Sequence, residues 1–118
     1  MTSFDINTAA ETITTINKKN KKEAEKRRLD AQKEGMLVAK KLKATIPEIQ
    51  AIWGFASTFE KNKPYHLHSD IDLAIEGGDI LQAILLAEKS HFKIDIIEIT
   101  DTDDNFVRLL KQNGIRLA

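Results

Sequence analysis

Two aspartates one residue apart, Asp70 and Asp72, stand between large apolar residues in Ser69-Asp70-Ile71-Asp72-Leu73. A third, Asp95, interrupts the apolar run from Phe92 to Ile99. In an extended strand, side chains i and i+2 leave the same face about 6.6 to 7 Å apart. Asp70 and Asp72 therefore project together, and Ile71 points the other way into the core. Two carboxylates so placed repel unless a cation lies between them. Mg2+ suits the position, because it takes oxygen ligands and is commonly held by one or two carboxylates plus substrate phosphates. A bare Asp-x-Asp also describes a solvent-facing pair on an edge strand, so the third acid matters. In the run around Asp95, Ile94 and Ile96 point one way and Asp95, Ile97 and Ile99 the other, as in a strand covered on both faces. An ionised carboxyl there costs roughly several kcal/mol unless it is paired or coordinates a metal. Its partner is either a site shared with Asp70 and Asp72 or a Lys or Arg from elsewhere, Lys93 being the only cation beside it in sequence.

A second chemistry precedes the acids. The apolar stretch Glu48 to Phe55 stops at small residues, Ala56-Ser57, followed by Thr58. A strand that turns into a short helix there offers free backbone N–H groups and a hydroxyl, which can grip phosphate. In the intervening loop His66 and His68 flank Leu67. That pair reads either as a metal or base ligand or as exposed loop histidines. Tyr65 is a candidate for stacking on a base.

The elements that must position these residues follow from periodicity. Residues 7–44 read as one long helix, or two, that Pro47 forbids from continuing. Unbroken, it would reach roughly 55 Å, longer than the body it packs on, so its first half should project, fray or dock against a second chain. Glu48 to Phe55 is the first strand, Ser57 to Lys61 a helical turn, Ser69 to Ile75 the second strand, and Phe92 to Ile99 the third. Glu76-Gly77-Gly78 is a turn. Asp79 caps a helix with a broad apolar face, and Asp103 or Asp104 starts a last helix that Gly114 ends as a C′ residue. The expected fold class is α/β (α+β), a three-stranded mixed sheet covered by helices. Residues 1–45 form a helical extension and residues 46–118 the domain.

Composition narrows the function classes. The chain has 118 residues, 42% of them hydrophobic, which suffices for one modest core. It has no cysteine, which excludes disulfides, thiolate catalysis and cysteine-based zinc sites. No signal peptide or membrane span is visible, so a cytoplasmic location is expected. Net charge is zero, but residues 1–45 carry 11 Lys/Arg against 6 Asp/Glu and residues 46–118 carry 7 against 12. An acidic body needs metal ions to attract a triphosphate. The run Lys18 to Lys33 mixes signs and lacks interleaved aromatics, which favours a solvated helix face over a nucleic-acid interface.

Phe55-Ala56-Ser57, then Ser69-Asp70-Ile71-Asp72-Leu73, then Asp95 within Lys-Ile-Asp-Ile-Ile together resemble the minimal nucleotidyltransferases of the DNA polymerase β superfamily. The resemblance covers about residues 46–118. It implies transfer of a nucleoside monophosphate, AMP from ATP, to a hydroxyl. Asp70, Asp72 and Asp95 would be the catalytic and metal-binding acids, holding two Mg2+ ions, with Asp95 as general base. Ala56, Ser57 and Ser69 would bind the nucleotide. Small members of this family often act as antitoxins of HEPN-domain toxins, which they modify with AMP, so a HEPN toxin is the implied partner. Self-association through the N-terminal helix is the other partner expectation; no membrane is implied. The family pattern has glycine where this chain has Ala56, and an added Cβ hinders close approach of a phosphate. That departure keeps a second possibility open, a weak or inactive nucleotidyltransferase-fold module that neutralises its partner by contact.

Overall fold

The computed structural model describes the backbone of residues 6–60, 63, 65 and 70–118, with side chains described from Lys21 onward. Helix α1 (Ile6–Thr45) is followed by β1 (Ala51–Phe55), α2 (Ala56–Phe59), β2 (Ile71–Glu76) and α3 (Ile80–Ala87). Then come β3 (Ile94–Glu98), α4 (Asp104–Asn113) and β4 (Ile115–Arg116). The fold is α+β with a long N-terminal helix and a mixed sheet. Among the described residues the sheet has four strands in the order β3-β2-β1-β4, not the three expected. The missed strand is two residues long, too short to show a period of two. It is extended because the free edge of β1 offers partners: Trp53 pairs with Arg116 and Gly54 with Ile115. The N–H of Leu117 then donates to the carbonyl of Ile52 at 2.8 Å.

Strand β2 is the centre of the sheet. It runs antiparallel to β1 and parallel to β3, with α3 as the crossover between the parallel pair. Its alternation sorts residues to two cores. Ile71, Leu73 and Ile75 are fully buried with Ile52 against Ala31, Ala39 and Leu42 of α1. The small residues Ala31, Gly35 and Ala39 recur every four positions, forming one stripe of the helix that lies close against the sheet. On the opposite face Ala74, Ile99 and Leu110 are buried, with Trp53, Phe55, Ile97 and Val107 packed around them. There α4 is pinned to the sheet through Glu76. Lys111 Nζ lies 2.9 Å from Glu76 Oε1, and the Trp53 indole N–H donates to the same oxygen at 2.8 Å. These contacts, Lys111 first, hold the Glu76 carboxyl below the usual range.

The helix caps follow the sequence. Asp79 Oδ1 accepts from the N–H groups of Leu81 and Gln82, and Asp103 Oδ1 from those of Asn105 and Phe106. Gly114 ends α4 as its C-cap, in extended backbone at φ −79°. Glycine is needed there for space: a Cβ would lie 2.6 Å from the carbonyl oxygen of Gly54 and 2.7 Å from that of Leu110. Helix α1 is continuous over 40 residues, and the Cα trace extends 70 × 31 × 18 Å because α1 outruns the body. Among the described residues no helix is long and apolar enough to cross a membrane.

Gly54 is the tightest point beside the site. A Cβ there would lie 2.6 Å from Cγ and Cδ2 of Phe59, whose ring is itself buried. Gly54→Ala should therefore lower stability by about 2–3 kcal/mol through overpacking, measured by urea unfolding.

Candidate active site

The acids gather at one end of the sheet, where β1 ends and β2 and β3 begin. In the parallel pairing Asp72 lies directly beside Asp95, and in the antiparallel pairing Asp72 lies opposite Phe55. Neighbouring strands are about 4.8 Å apart, so the side chains of Asp72 and Asp95 leave the same face as near neighbours. Asp70 sits just ahead of β2. Its backbone is held on both sides: its carbonyl accepts from the Thr58 hydroxyl at 3.1 Å, and the next N–H, of Ile71, donates to the carbonyl of Lys93 at 2.9 Å. Thr58 is fully buried, so that hydroxyl locks α2 against the start of β2.

The burial expected of Asp95 falls on Asp72 instead. Asp95 is exposed, because among the described residues β3 lies at the edge of the sheet, beside β2. Asp72, on the central strand, is the half-buried one. Its carboxyl is pushed up to about 6, first by desolvation and then by the charges of Asp95 and Asp70, with Lys63 pulling it back. Lys93, two residues before Asp95 in sequence, points to Asp70, its Nζ 3.5 Å from Oδ2. That pair is exposed and weak. Among the described residues no ion pair holds Asp95.

As the side chains stand, no three Asp, Glu, His or Cys groups among the described residues converge as a metal cluster. The donor chemistry nevertheless fits a hard cation. Three carboxylates share one end of the sheet, desolvation and the charges of Asp95 and Asp70 raise Asp72 against the opposing pull of Lys63, and among the described residues Asp70 pairs with the exposed Lys93.

The turn expected to grip phosphate has an unusual backbone. Ala56 adopts φ +59°, the left-handed region that favours glycine, at a cost of roughly 1–2 kcal/mol. Its N–H, the first that a phosphate would meet, donates to the Glu60 carboxylate, and Lys63 Nζ lies 3.5 Å from the same Glu60 oxygen. Ser57 is half-buried beside it. The turn is fixed from α1: Arg28 Nε donates to the carbonyl of Ser57 at 3.3 Å and Gln32 Nε2 to that of Thr58 at 2.7 Å. Arg27, one residue earlier, stacks on Phe92 with its Cζ 4.0 Å from the ring centroid. Part of the basic run thus anchors the helix to the body. Ser69, His66 and His68 lie outside the described residues. Tyr65 packs against the core cluster, and burial pushes its hydroxyl up.

Glu60, Lys63, Arg28 and Gln32 are the site residues that sequence reasoning missed. Glu60 had a local signal, since it stands four residues after Ala56 and can cap the turn. Arg28 and Gln32 are 29 and 26 residues from their partners and had none.

The Asp72 carboxyl binds its proton more tightly in the folded protein than in the unfolded chain, where the ordinary value is 3.8. Its contribution to stability is full below about pH 4 and is lost as pH rises through about 6. Discounted for solvent screening, the penalty at pH 7 is about 1–2 kcal/mol. Asp72→Asn should remove it, raising stability at pH 7 by that amount and changing nothing at pH 3, as measured by urea unfolding at both pH values. Compared with known proteins, the chain matches no family model, and no curated protein matches it at a significant level.

Proposed function

We propose that the chain is a metal-dependent nucleotidyltransferase that transfers AMP from ATP to a hydroxyl on a HEPN-domain toxin, acting as its antitoxin in the cytoplasm. The observation that carries the chemistry is the register of β2 on β3, which sets Asp72 beside Asp95 with Asp70 two residues away. The partner class comes from the resemblance of the acid and Phe-Ala-Ser motifs. Helix α1, which outruns the body, is the proposed surface for association with that partner and for self-association.

In this reading Asp70, Asp72 and Asp95 would hold two Mg2+ ions. Bound there, the ions supply charge neutralisation for the leaving pyrophosphate and a lowered pKa for the acceptor hydroxyl. Asp95, exposed at the edge of the sheet, takes the acceptor proton. The acceptor oxygen bonds to the α-phosphorus as the bond from that phosphorus to the bridging oxygen breaks, and pyrophosphate leaves. Ser57 and the backbone N–H of Ala56 hold the β- and γ-phosphates once Glu60 has moved aside, and Ser69 orients a phosphate.

A second reading is favoured by Ala56 and Glu60. The left-handed alanine crowds the grip and the Glu60 carboxylate fills its first N–H. A chain so plugged would neutralise its partner by contact alone. Calorimetric titration with ATP separates the two. Mg2+-dependent binding, together with AMP transfer that Asp70→Asn and Asp95→Asn abolish without loss of helical circular dichroism, is the expected result. Unchanged transfer in those variants overturns the enzyme reading. Binding absent from the wild type but gained in Ala56→Gly or Glu60→Gln favours the contact-only module.

A further inference from the structure

Beside the acids lies a depression of about 210 Å³ lined by Phe55, Phe106, Leu109 and Leu110, with Glu60, Lys63 and Asn113 at its rim. Its apolar wall is unusually open. Phe106 is 39% exposed and Leu109 51%, although both belong to the amphipathic helix α4 that packs on the sheet. Phe106 meets Phe55 edge to face, ring centroids 6.2 Å apart and planes at 89°. Phe55 links the depression to the acids. Phe55 is the cross-strand partner of Asp72, so both side chains leave the sheet on the same face. Lys63, at the rim, is also the cation that acts on Asp72.

We propose that this depression receives the nucleobase of the nucleoside triphosphate whose phosphates lie at Asp70, Asp72 and Asp95. The inference rests on the nucleotidyltransferase reading and adds to it a base site and its residues. The volume is below the roughly 300–1,000 Å³ of pockets that enclose a whole small ligand, so it suits one flat ring, with ribose and phosphates left outside. Two aromatic rings and a leucine offer faces on which a base stacks, and stacking of this kind tolerates any base. The Asn113 amide, with donors and an acceptor, and the Lys63 ammonium stand where the polar edge of a base emerges.

The test compares ATP with tripolyphosphate, which has the phosphates but no base, each with Mg2+, by calorimetry. The proteins are the wild type, Phe106→Ala and the more conservatively placed Leu109→Ala. Both residues are substantially exposed, and circular dichroism and urea unfolding check that the variants fold. The expected result is ATP affinity roughly tenfold weaker in Phe106→Ala, a smaller loss in Leu109→Ala, and unchanged tripolyphosphate affinity in both. Adenosine alone, without metal, should shift the Leu109 and Leu110 methyl resonances. Equal losses for ATP and tripolyphosphate, or no loss, would overturn the base site, as would an adenosine titration that leaves those methyls unmoved. If the wild type binds no tripolyphosphate but adenosine still shifts the methyls, the ring site stands and the transfer reading fails.

Discussion

The register of the central strand is the constraint on which the rest of this protein depends. Strand β2 is paired on both edges, and its side chains divide without exception between two cores. Ile71, Leu73 and Ile75 are sealed under α1, while Asp72 and Ala74 face α4 and the acid cluster. A slip of one residue would put Asp72 into the all-apolar layer beneath α1 and bring Ile71 and Leu73 out, reversing every choice at once. The register that the hydrophobic side demands is also the one that sets Asp72 beside Asp95. The apolar packing thus holds together two like charges that electrostatics would separate. Sites that keep such a cost usually use it, because neighbours that destabilise one another's charge make a strong place for a cation.

Helix α1 reaches the acids through a relay of polar contacts. The stripe Ala31, Gly35 and Ala39 brings the helix near enough to the sheet for Arg28 and Gln32 to hold the carbonyls of Ser57 and Thr58. Thr58 then holds the carbonyl of Asp70. The position of Asp70 depends on the helix as well as on its own strand. The charge asymmetry between the two parts of the chain acquires a local meaning: a basic helix lays guanidinium groups along one side of a body whose open end is acidic.

Much of this was legible in the chain itself. The alternation of Ile71, Leu73 and Ile75 with Asp72, and of Ile94 and Ile96 with Asp95, gave the correct faces. The caps at Asp79 and Asp103 fell where short polar residues precede apolar periodicity. Which strand sits at an edge was not legible, because that depends on how strands pair over long distances. The burial assigned to Asp95 therefore belongs to Asp72. Strand β4 is two residues that become a strand only in the presence of the β1 edge. The left-handed backbone of Ala56 was hidden by its side chain, since nothing in an alanine announces φ +59°. The carboxylate of Glu60 on its N–H shows only once the turn is built.

The most direct test of the account is an NMR titration of the Asp72 side-chain carboxyl, without divalent cations and then with Mg2+. The acids at this end of the sheet predict a midpoint near 6 in the metal-free protein, a partial drop when Asp95 is replaced by Asn because burial still raises it, and a drop in the wild type when Mg2+ is added. A midpoint in the ordinary range that responds neither to Asp95 nor to Mg2+ would mean that the acids do not act on one another. The charge tension on which the functional reading is built would then be absent.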